Sequence, residues 1–263
     1  MAVIREPAVA GQFYPAVAGE LRAAVDALLD EAPAADIAAP KALIAPHAGY
    51  RYSGTVAARA YAQIRPFRGR YRRVALLGPS HRVALHGVAL SGADAFRMPA
   101  GDVPVDKAAA ALLERHGASP SRAAHAREHS LEVHLPFLQA LLEDFTLAPL
   151  VVGDAEPDEV AEILDLLWDG PETLIVVSSD LSHYLSYEDA HARDALTSRA
   201  IESFDPAPIG YDDACGAAPI RGLLAKAKRR GMHITRLDLR NSGDTAGGTS
   251  HVVGYGAWAL TEP

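Results

Sequence analysis

The chain has one cysteine among its 263 residues, Cys215, and this scarcity excludes an internal disulfide. It also lacks any stretch of about 20 apolar residues, the length that a helix needs to span a bilayer. The formal net charge of −8 gives no general attraction to nucleic acid or to anionic membranes. The first residues contain no apolar signal region. We therefore expect a cytoplasmic protein with no nucleic-acid or membrane partner, in which Cys215 is a free thiol.

Two groups of catalytic motifs are missing as well. No Gly-x-Gly-x-x-Gly follows a predicted strand, and the Gly-rich loop within residues 242–256 lacks the Gly-Lys-Ser/Thr ending of a phosphate-binding loop. The polar group Glu128, His129, Glu132 and His134 lacks the His-Glu-x-x-His spacing that places two zinc ligands on one helical face. The sequence therefore argues against nucleotide binding and against a metalloprotease.

The residues that are present predict a soluble α/β protein. A hydrophobic share of 49% with 22% charged residues is ordinary for a globular chain, and we expect a single domain over residues 1–263. Buried strands are predicted over residues 42–45, 74–77, 87–90, 145–152, 174–177, 233–239 and 252–260. Helices are predicted over residues 20–31, 54–64, 106–116, 128–143, 158–168, 189–203 and 213–229. This alternation predicts three α/β/α layers around a mainly parallel or mixed sheet.

Chemically active side chains follow three of these strands directly. His47, His81 and the pair Asp180 and His183 each come just after an apolar, β-branched run. The carboxyl ends of strands form the ligand crevice of open α/β sheets, so these residues should meet. Imidazole and thiolate bind first-row transition metals, and His47, His81 and Cys215 would form a metal site with an open position. We expect His47 to be partly exposed, so that His47→Ala weakens metal binding with little loss of stability.

Other site residues have both a functional and a structural interpretation. Cys215 precedes a helical run whose dipole would favour the thiolate, although a lone cysteine is often a buried, inert thiol. One helical turn would bring Asp180 and His183 to the same side, with His183 as acid/base and Asp180 as its orienter or as a ligand. Asp180 could instead cap a helix. Glu128 and His129 either line the crevice or supply polarity at a helix start.

Six segments of the chain resemble those of one known family, the Memo-like proteins, called component B of the AmmeMemoRadiSam system in prokaryotes. The resemblance runs nearly end to end, and it rests on Arg-Glu-Pro-Ala-Val-Ala-Gly-Gln-Phe-Tyr-Pro at 5–15, Pro-His-Ala-Gly-Tyr at 46–50, Leu-Gly-Pro-Ser-His at 77–81, Glu-His-Ser-Leu-Glu at 128–132, Ser-Ser-Asp-Leu-Ser-His at 178–183 and Cys-Gly at 215–216.

The resemblance implies a fold related to the class III extradiol dioxygenases, which are non-haem iron enzymes. His47 and His81 match their histidine ligands, His183 matches their acid/base, and Cys215 stands where they have a carboxylate ligand. We expect Glu128, His129 and Tyr50 to bind substrate. A thiolate makes the site softer, which favours iron(II) or copper, with zinc as the alternative. Because function depends on the site, ring cleavage does not follow from the fold.

Three functional hypotheses remain open at the level of the sequence. The first is a metal-dependent redox or oxygen-activating enzyme that binds a small molecule at the open position. The second is a metal-binding adaptor that holds a peptide or a partner protein in the crevice, including partners from the AmmeMemoRadiSam system. The third is a hydrolase with Cys215 as nucleophile, His183 as base and Asp180 as orienter.

Overall fold

The computed structural model describes residues 2–33, 37–168 and 170–263. Within these residues the strands are β1 (Ile4–Arg5), β2 (Pro40–Ala45), β3 (Arg73–Pro79), β4 (Val88–Leu90), β5 (Ala95–Phe96), β6 (Val103–Pro104), β7 (Ser119–Pro120), β8 (Thr146–Val152), β9 (Thr173–Ser178), β10 (His183–Leu185), β11 (His233–Asn241) and β12 (Val252–Thr261). The α-helices are α1 (Ala18–Glu31), α2 (Tyr50–Ala62), α3 (Lys107–Arg115), α4 (Arg122–Ala126), α5 (Leu135–Leu141), α6 (Pro157–Leu167), α7 (Tyr187–Glu202) and α8 (Ala217–Arg229).

A mixed sheet forms the centre of the molecule. Its strand order is β10-β12-β2-β9-β3-β8-β4-β7, with β11 beside β12. The four strands β2, β9, β3 and β8 are parallel to their neighbours in this order, whereas β12 runs antiparallel to β2 and β4 antiparallel to β8. The predicted mainly parallel or mixed sheet is therefore confirmed, as a mixed sheet.

The central strands are buried on both faces, which explains why they read as continuous apolar runs. Side chains alternate between the faces: Leu43 and Val176 pack in one core with α1, α2 and α5, while Ile44 and Val177 pack in the other with α3, α6 and α8. Full burial of such a side chain stabilises the fold by about 1.5–3 kcal/mol relative to exposure. The arrangement confirms the predicted α/β/α layers.

A second, smaller sheet holds the amino-terminal segment. It contains β1, β5 and β6, with β1 parallel to β5 and β5 antiparallel to β6. These strands are two residues long, which is too short to produce a periodic pattern, so they could not be predicted. None of the described helices combines the length and apolar character that crossing a bilayer requires.

Two predicted helices begin later than expected. The helix predicted over 128–143 is a turn at Glu128, a 3-10 turn over Glu132–His134 and then α5, whose first turn contains a proline, where no backbone N–H is needed. The helix predicted from residue 213 begins at Ala217, so Cys215 lies before the helix and outside its first turn. Both shifts concern residues of the site.

Candidate metal centre

Three of the site residues lie just beyond the carboxyl ends of three adjacent parallel strands. His47, Asp180 and His81 each lie two residues beyond the ends of β2, β9 and β3, and these strands are neighbours in that order. Their carboxyl ends meet because the strands are parallel and in register, with Ala45 opposite Ser178. The predicted convergence at the strand ends is thus a consequence of the topology.

The buried His47 is held in one tautomer by a serine. Its Nδ1 lies 2.5 Å from Ser178 Oγ, which itself donates to the Ser130 carbonyl at 2.6 Å. A hydroxyl has one proton, so Ser178 must accept from Nδ1–H, and Nε2 carries the lone pair. Burial, with the nearby His81 and His129, lowers the pKa of His47 well below its ordinary value. His47 is therefore a neutral imidazole with a free Nε2, the form that binds metals.

His81 is held in the same way by a carboxylate. Glu128 accepts the backbone N–H of His81 at 2.6 Å and the ring Nδ1–H at 2.9 Å, and it also accepts the N–H groups of His129 and Ser130 at 2.9 Å. Burial opposes ionisation of Glu128, but these hydrogen bonds and the charge of His81 outweigh it and lower its pKa to about 2. An ionised Glu128 accepts only, so Nδ1 of His81 is the donor, and in the neutral imidazole Nε2 carries the lone pair that a metal needs.

One hydrogen-bonded chain links the two imidazoles. It runs from His47 through Ser178 to the Ser130 carbonyl, and from the Ser130 N–H through Glu128 to His81. Ser178 and Ser130 were not predicted as site residues. Ser178 is the last residue of β9, in register with the strand that leads to His47, and this position is the signal that could have identified it.

His129 joins the two imidazoles as a third. The ligand atoms of His47, His81 and His129 all lie within 4.8 Å of one another, and the rings of His81 and His129 stack at 4.8 Å. Nδ1 of His129 is buried and makes no hydrogen bond within the described part of the chain. Burial and the charge of His81 lower the pKa of His129 to about 4. The sequence predicted a substrate-binding role for this residue, whereas the structure adds it to a cluster with metal-ligand spacing.

Cys215 lies beside this cluster but outside it: the ligand atoms that come within 4.8 Å of one another are those of the three imidazoles and do not include the Cys215 sulfur. Its Sγ is 3.4 Å from His47 Nε2 and accepts the Asp180 backbone N–H at 3.3 Å. The approach depends on Gly216, because a Cβ there would lie 2.6 Å from the Ser178 carbonyl oxygen. Burial, reinforced by Asp180, raises the pKa of the Cys215 thiol. The expectation that a helix dipole favours the thiolate was wrong, since the helix begins later and burial dominates.

Asp180 and His183 are arranged differently from the prediction. No helix follows Asp180 in this described stretch, which leads into β10, so neither the helical turn nor the N-cap is correct. Asp180 instead accepts the His47 backbone N–H at 2.8 Å, and burial raises the pKa of its carboxyl group. His183 begins β10, is half-buried, and its charge acts on the pKa values of both His47 and Asp180.

Two expectations about exposure are corrected by the structure. His47 is 1% exposed, not partly exposed, and Ser178, Cys215 and the rings of His81 and His129 lie around its imidazole. Glu128 is also 1% exposed and uses its carboxylate on four protein N–H groups, so it holds His81 and does not face a ligand. Tyr50 donates its hydroxyl to the Val133 carbonyl at 2.8 Å and packs on Phe137, inside the core.

A groove leads from the surface to the site. It has a volume of about 450 Å³, and both His81 and Cys215 contribute to its wall. Most of the remaining wall is apolar, with Val83 and Leu85 among its residues, and the exposed Tyr211 lies at its margin. A ligand in this groove would reach the imidazole of His81 and the sulfur of Cys215 together.

The donor atoms fit a transition-metal ion. In both His47 and His81, Nδ1 forms a hydrogen bond within the protein, which leaves Nε2 available as a ligand. Two ligands at roughly 2.0 and 2.3 Å from a tetrahedral ion are about 3.5 Å apart, and the Sγ of Cys215 is 3.4 Å from Nε2 of His47. The imidazole of His129 offers a further donor atom at the same place.

Comparison with known proteins gives a consistent assignment. A model of the Memo-like protein family matches residues 5–259. A MEMO1 family protein of Aquifex aeolicus is 36% identical over 267 residues, covering 96% of this chain and 97% of that protein. Protein MEMO1 of Xenopus laevis is 33% identical over 292 residues, covering 98% and 97%.

A solved structure shares the fold at low sequence identity. The crystal structure of the uncharacterised protein JW3007 from Escherichia coli K12 has a TM-score of 0.55 and 12% identity, and the match covers 81% of this chain and 98% of that one. At this identity the likeness supports the α/β fold alone. The full-length sequence matches carry the family assignment: this chain belongs to the Memo-like protein family.

Proposed function

We propose that this protein binds one transition-metal ion through His47, His81 and Cys215 and uses it as a redox or oxygen-activating enzyme. The observation that carries the proposal is the pair of imidazoles whose Nδ1 atoms are both committed to hydrogen bonds, with a sulfur 3.4 Å from one free Nε2. Histidine and thiolate together favour iron(II) or copper, with zinc as the alternative.

His129 is proposed to line the position that the three ligands leave open. Its ring stacks on His81 at 4.8 Å and meets the ring of His47 edge-on at 5.4 Å, so it stands beside both ligands. With a pKa of about 4 it is neutral at physiological pH and can donate or accept one hydrogen bond to a bound molecule. His129 would then contact a small molecule bound at the open position of the metal.

The remaining polar residues are assigned to proton handling. Metal binding requires Cys215 to lose its proton, because thiolate is the form that ligates. Asp180, whose carboxyl pKa is raised by burial, lies next to the sulfur and to the backbone of His47. His183, half-buried at the start of β10, is the acid/base candidate. The bound metal would supply one-electron chemistry, and its hydrophobic groove would limit the access of water.

The hydrolase hypothesis is less well supported by the geometry. The imidazole that contacts Cys215 Sγ is His47, whereas the hypothesis requires His183. The pKa of the thiol is raised by burial and by Asp180, the reverse of what an activated nucleophile needs. We therefore keep the metal-binding proposal.

Anaerobic titration with iron(II), copper(I) and zinc(II) tests the proposal. We expect one ion per chain, a loss of at least tenfold in affinity in His47→Ala, His81→Ala and Cys215→Ser, and no change in His233→Ala, an exposed histidine at the start of β11. Equal stoichiometry and affinity in wild type and Cys215→Ser would remove the sulfur from the site. Loss of the metal in His129→Ala but not in Cys215→Ser would make the three imidazoles the ligand set.

Oxygen consumption by the iron(II)-loaded and copper(I)-loaded protein separates the enzyme from the adaptor. We expect uptake above that of the Cys215→Ser variant at equal metal concentration once a reducing small molecule is added. A protein that binds metal tightly but consumes no oxygen with any of a broad set of reductants would favour the adaptor.

A further inference from the structure

The amino-terminal segment over residues 5–14 supplies none of the proposed ligands, yet it is fastened to the turn that carries Glu128 and His129. β1 is two residues long and pairs only with β5 in the described part of the chain. Its position therefore depends on side chains, and two buried charged residues, Arg5 and Glu132, make the contacts.

Arg5 binds the segment around Glu128 through all three of its guanidinium nitrogens. Nε donates to the His125 carbonyl at 3.1 Å, Nη2 donates to the Glu128 carbonyl, and Nη1 donates to the Glu132 carboxylate. The side chain is 5% exposed, and the guanidinium lies 5.2 Å from the ring centroid of Phe96. The planar fork thus fixes the main chain on both sides of residues 126–127, directly before the carboxylate that holds His81.

Glu132 holds the amino-terminal segment against the same turn by hydrogen bonds. Its carboxylate is fully buried and accepts the N–H groups of Ala8 and Val9 at 2.7 and 3.0 Å and the hydroxyl of Tyr14 at 2.5 Å. The turn over residues 9–14 then places the ring of Phe13 edge-on to His129, with 4.9 Å between centroids. The ion pair therefore acts on the backbone before His129 and, together with the Tyr50 N–H that donates to the Phe13 carbonyl at 2.8 Å, on the aromatic contact with its ring.

We propose that Arg5 and Glu132 are positioning residues for the metal centre, acting through the Glu128 turn on His81 and through Phe13 on His129. The inference rests on the proposed metal-binding function. A buried ion pair seldom stabilises a protein more than apolar side chains of similar volume would. The geometry that this pair imposes therefore explains its presence better than stability does. It also gives a role to the conspicuous segment at 5–15.

The test compares wild type with Arg5→Lys and with the double variant Arg5→Met/Glu132→Gln. Lysine keeps the charge but cannot reach two carbonyls and a carboxylate at once, and the double variant removes both charges together, so that neither is left buried alone. We expect both variants to fold by circular dichroism, to bind cobalt(II) about tenfold more weakly, and to show altered visible cobalt bands. Imidazole ¹⁵N spectra should show displaced His81 and His129 signals.

Leu164→Ala is the matched control, because it removes a fully buried side chain of α6 on the other face of the sheet. We expect it to lower Tm while leaving cobalt affinity, cobalt bands and imidazole signals as in wild type. Variants at Arg5 and Glu132 that behave like Leu164→Ala would overturn the positioning role. If wild type binds neither cobalt(II) nor any of iron(II), copper(I) and zinc(II), the proposed function fails, and the imidazole spectra then decide the positioning role on their own.

Discussion

The candidate metal centre has two sides, one with His81 and Glu128 and the other with Cys215 and Asp180. The acidic groups of the two sides have pKa values shifted in opposite directions. On the His81 side, Glu128 accepts four N–H groups and its pKa falls to about 2. On the Cys215 side, burial raises the pKa of both the Asp180 carboxyl group and the thiol. The number of donors that reach each buried acid decides the difference. The His81 side thus contains an ionised carboxylate, whereas the Cys215 side must release a proton before its sulfur can bind a metal.

The largest expected effect is on the His81 side. Glu128→Ala would leave three backbone N–H groups and the His81 ring without their acceptor in a buried turn, and we expect a loss of about 3–5 kcal/mol in the free energy of unfolding. Urea unfolding at pH 7 measures it, with Glu128→Gln as the milder control. A loss below about 1 kcal/mol would show that water or a rearranged turn replaces the carboxylate.

Acid should weaken the His81 side selectively. The folded pKa of Glu128, about 2, lies below its ordinary value of 4.5, so its contribution is present above pH 4.5 and is lost as the pH falls toward 2. This shift corresponds to about 3 kcal/mol. The stability difference between wild type and Glu128→Gln, measured by urea unfolding at a series of pH values, should therefore shrink over this interval. A constant difference would contradict the assignment of the ionised form.

A smaller effect is expected at the residue between the two sides. His47 is buried, so we expect His47→Ala to cost about 2 kcal/mol in the free energy of unfolding, through a cavity at the strand ends. Thermal and urea unfolding without added metal measure this cost. A change within about 0.5 kcal/mol would restore the original expectation of a partly exposed residue.

The smallest effect on stability is expected on the Cys215 side. Cys215→Ser keeps nearly the same shape and places a hydroxyl where the thiol lies near Asp180, so we expect the free energy of unfolding to change by less than about 1 kcal/mol. The same variant should lose the near-ultraviolet charge-transfer band of the cobalt(II)-loaded protein. A large loss of stability with the band intact would mean that the thiol has a structural role.

The sequence predicted the strands of the sheet and the residues at their carboxyl ends better than the hydrogen bonds and pKa values of those residues. The apolar runs of β2, β3 and β9 identified strands that are buried on both faces, and the histidines just beyond β2 and β3 do meet. That success follows from topology, because the ends of adjacent parallel strands are neighbours whatever the side chains are.

The chemistry of individual residues could not be predicted in the same way. The number of donors around Glu128 depends on an irregular turn that resembles the start of a helix in the sequence. The pKa of Cys215 depends on burial, which outweighs a local dipole. The ion pair of Arg5 and Glu132 joins residues 127 positions apart, which no local pattern reports.

X-ray absorption at the metal edge of the iron(II)- or zinc(II)-loaded protein tests the central claim most directly. We predict one sulfur at roughly 2.3 Å together with imidazole nitrogen near 2.0–2.1 Å, and loss of the sulfur contribution in Cys215→Ser. A first shell of nitrogen and oxygen alone in wild type would contradict the account and would assign the ion to the three imidazoles of His47, His81 and His129.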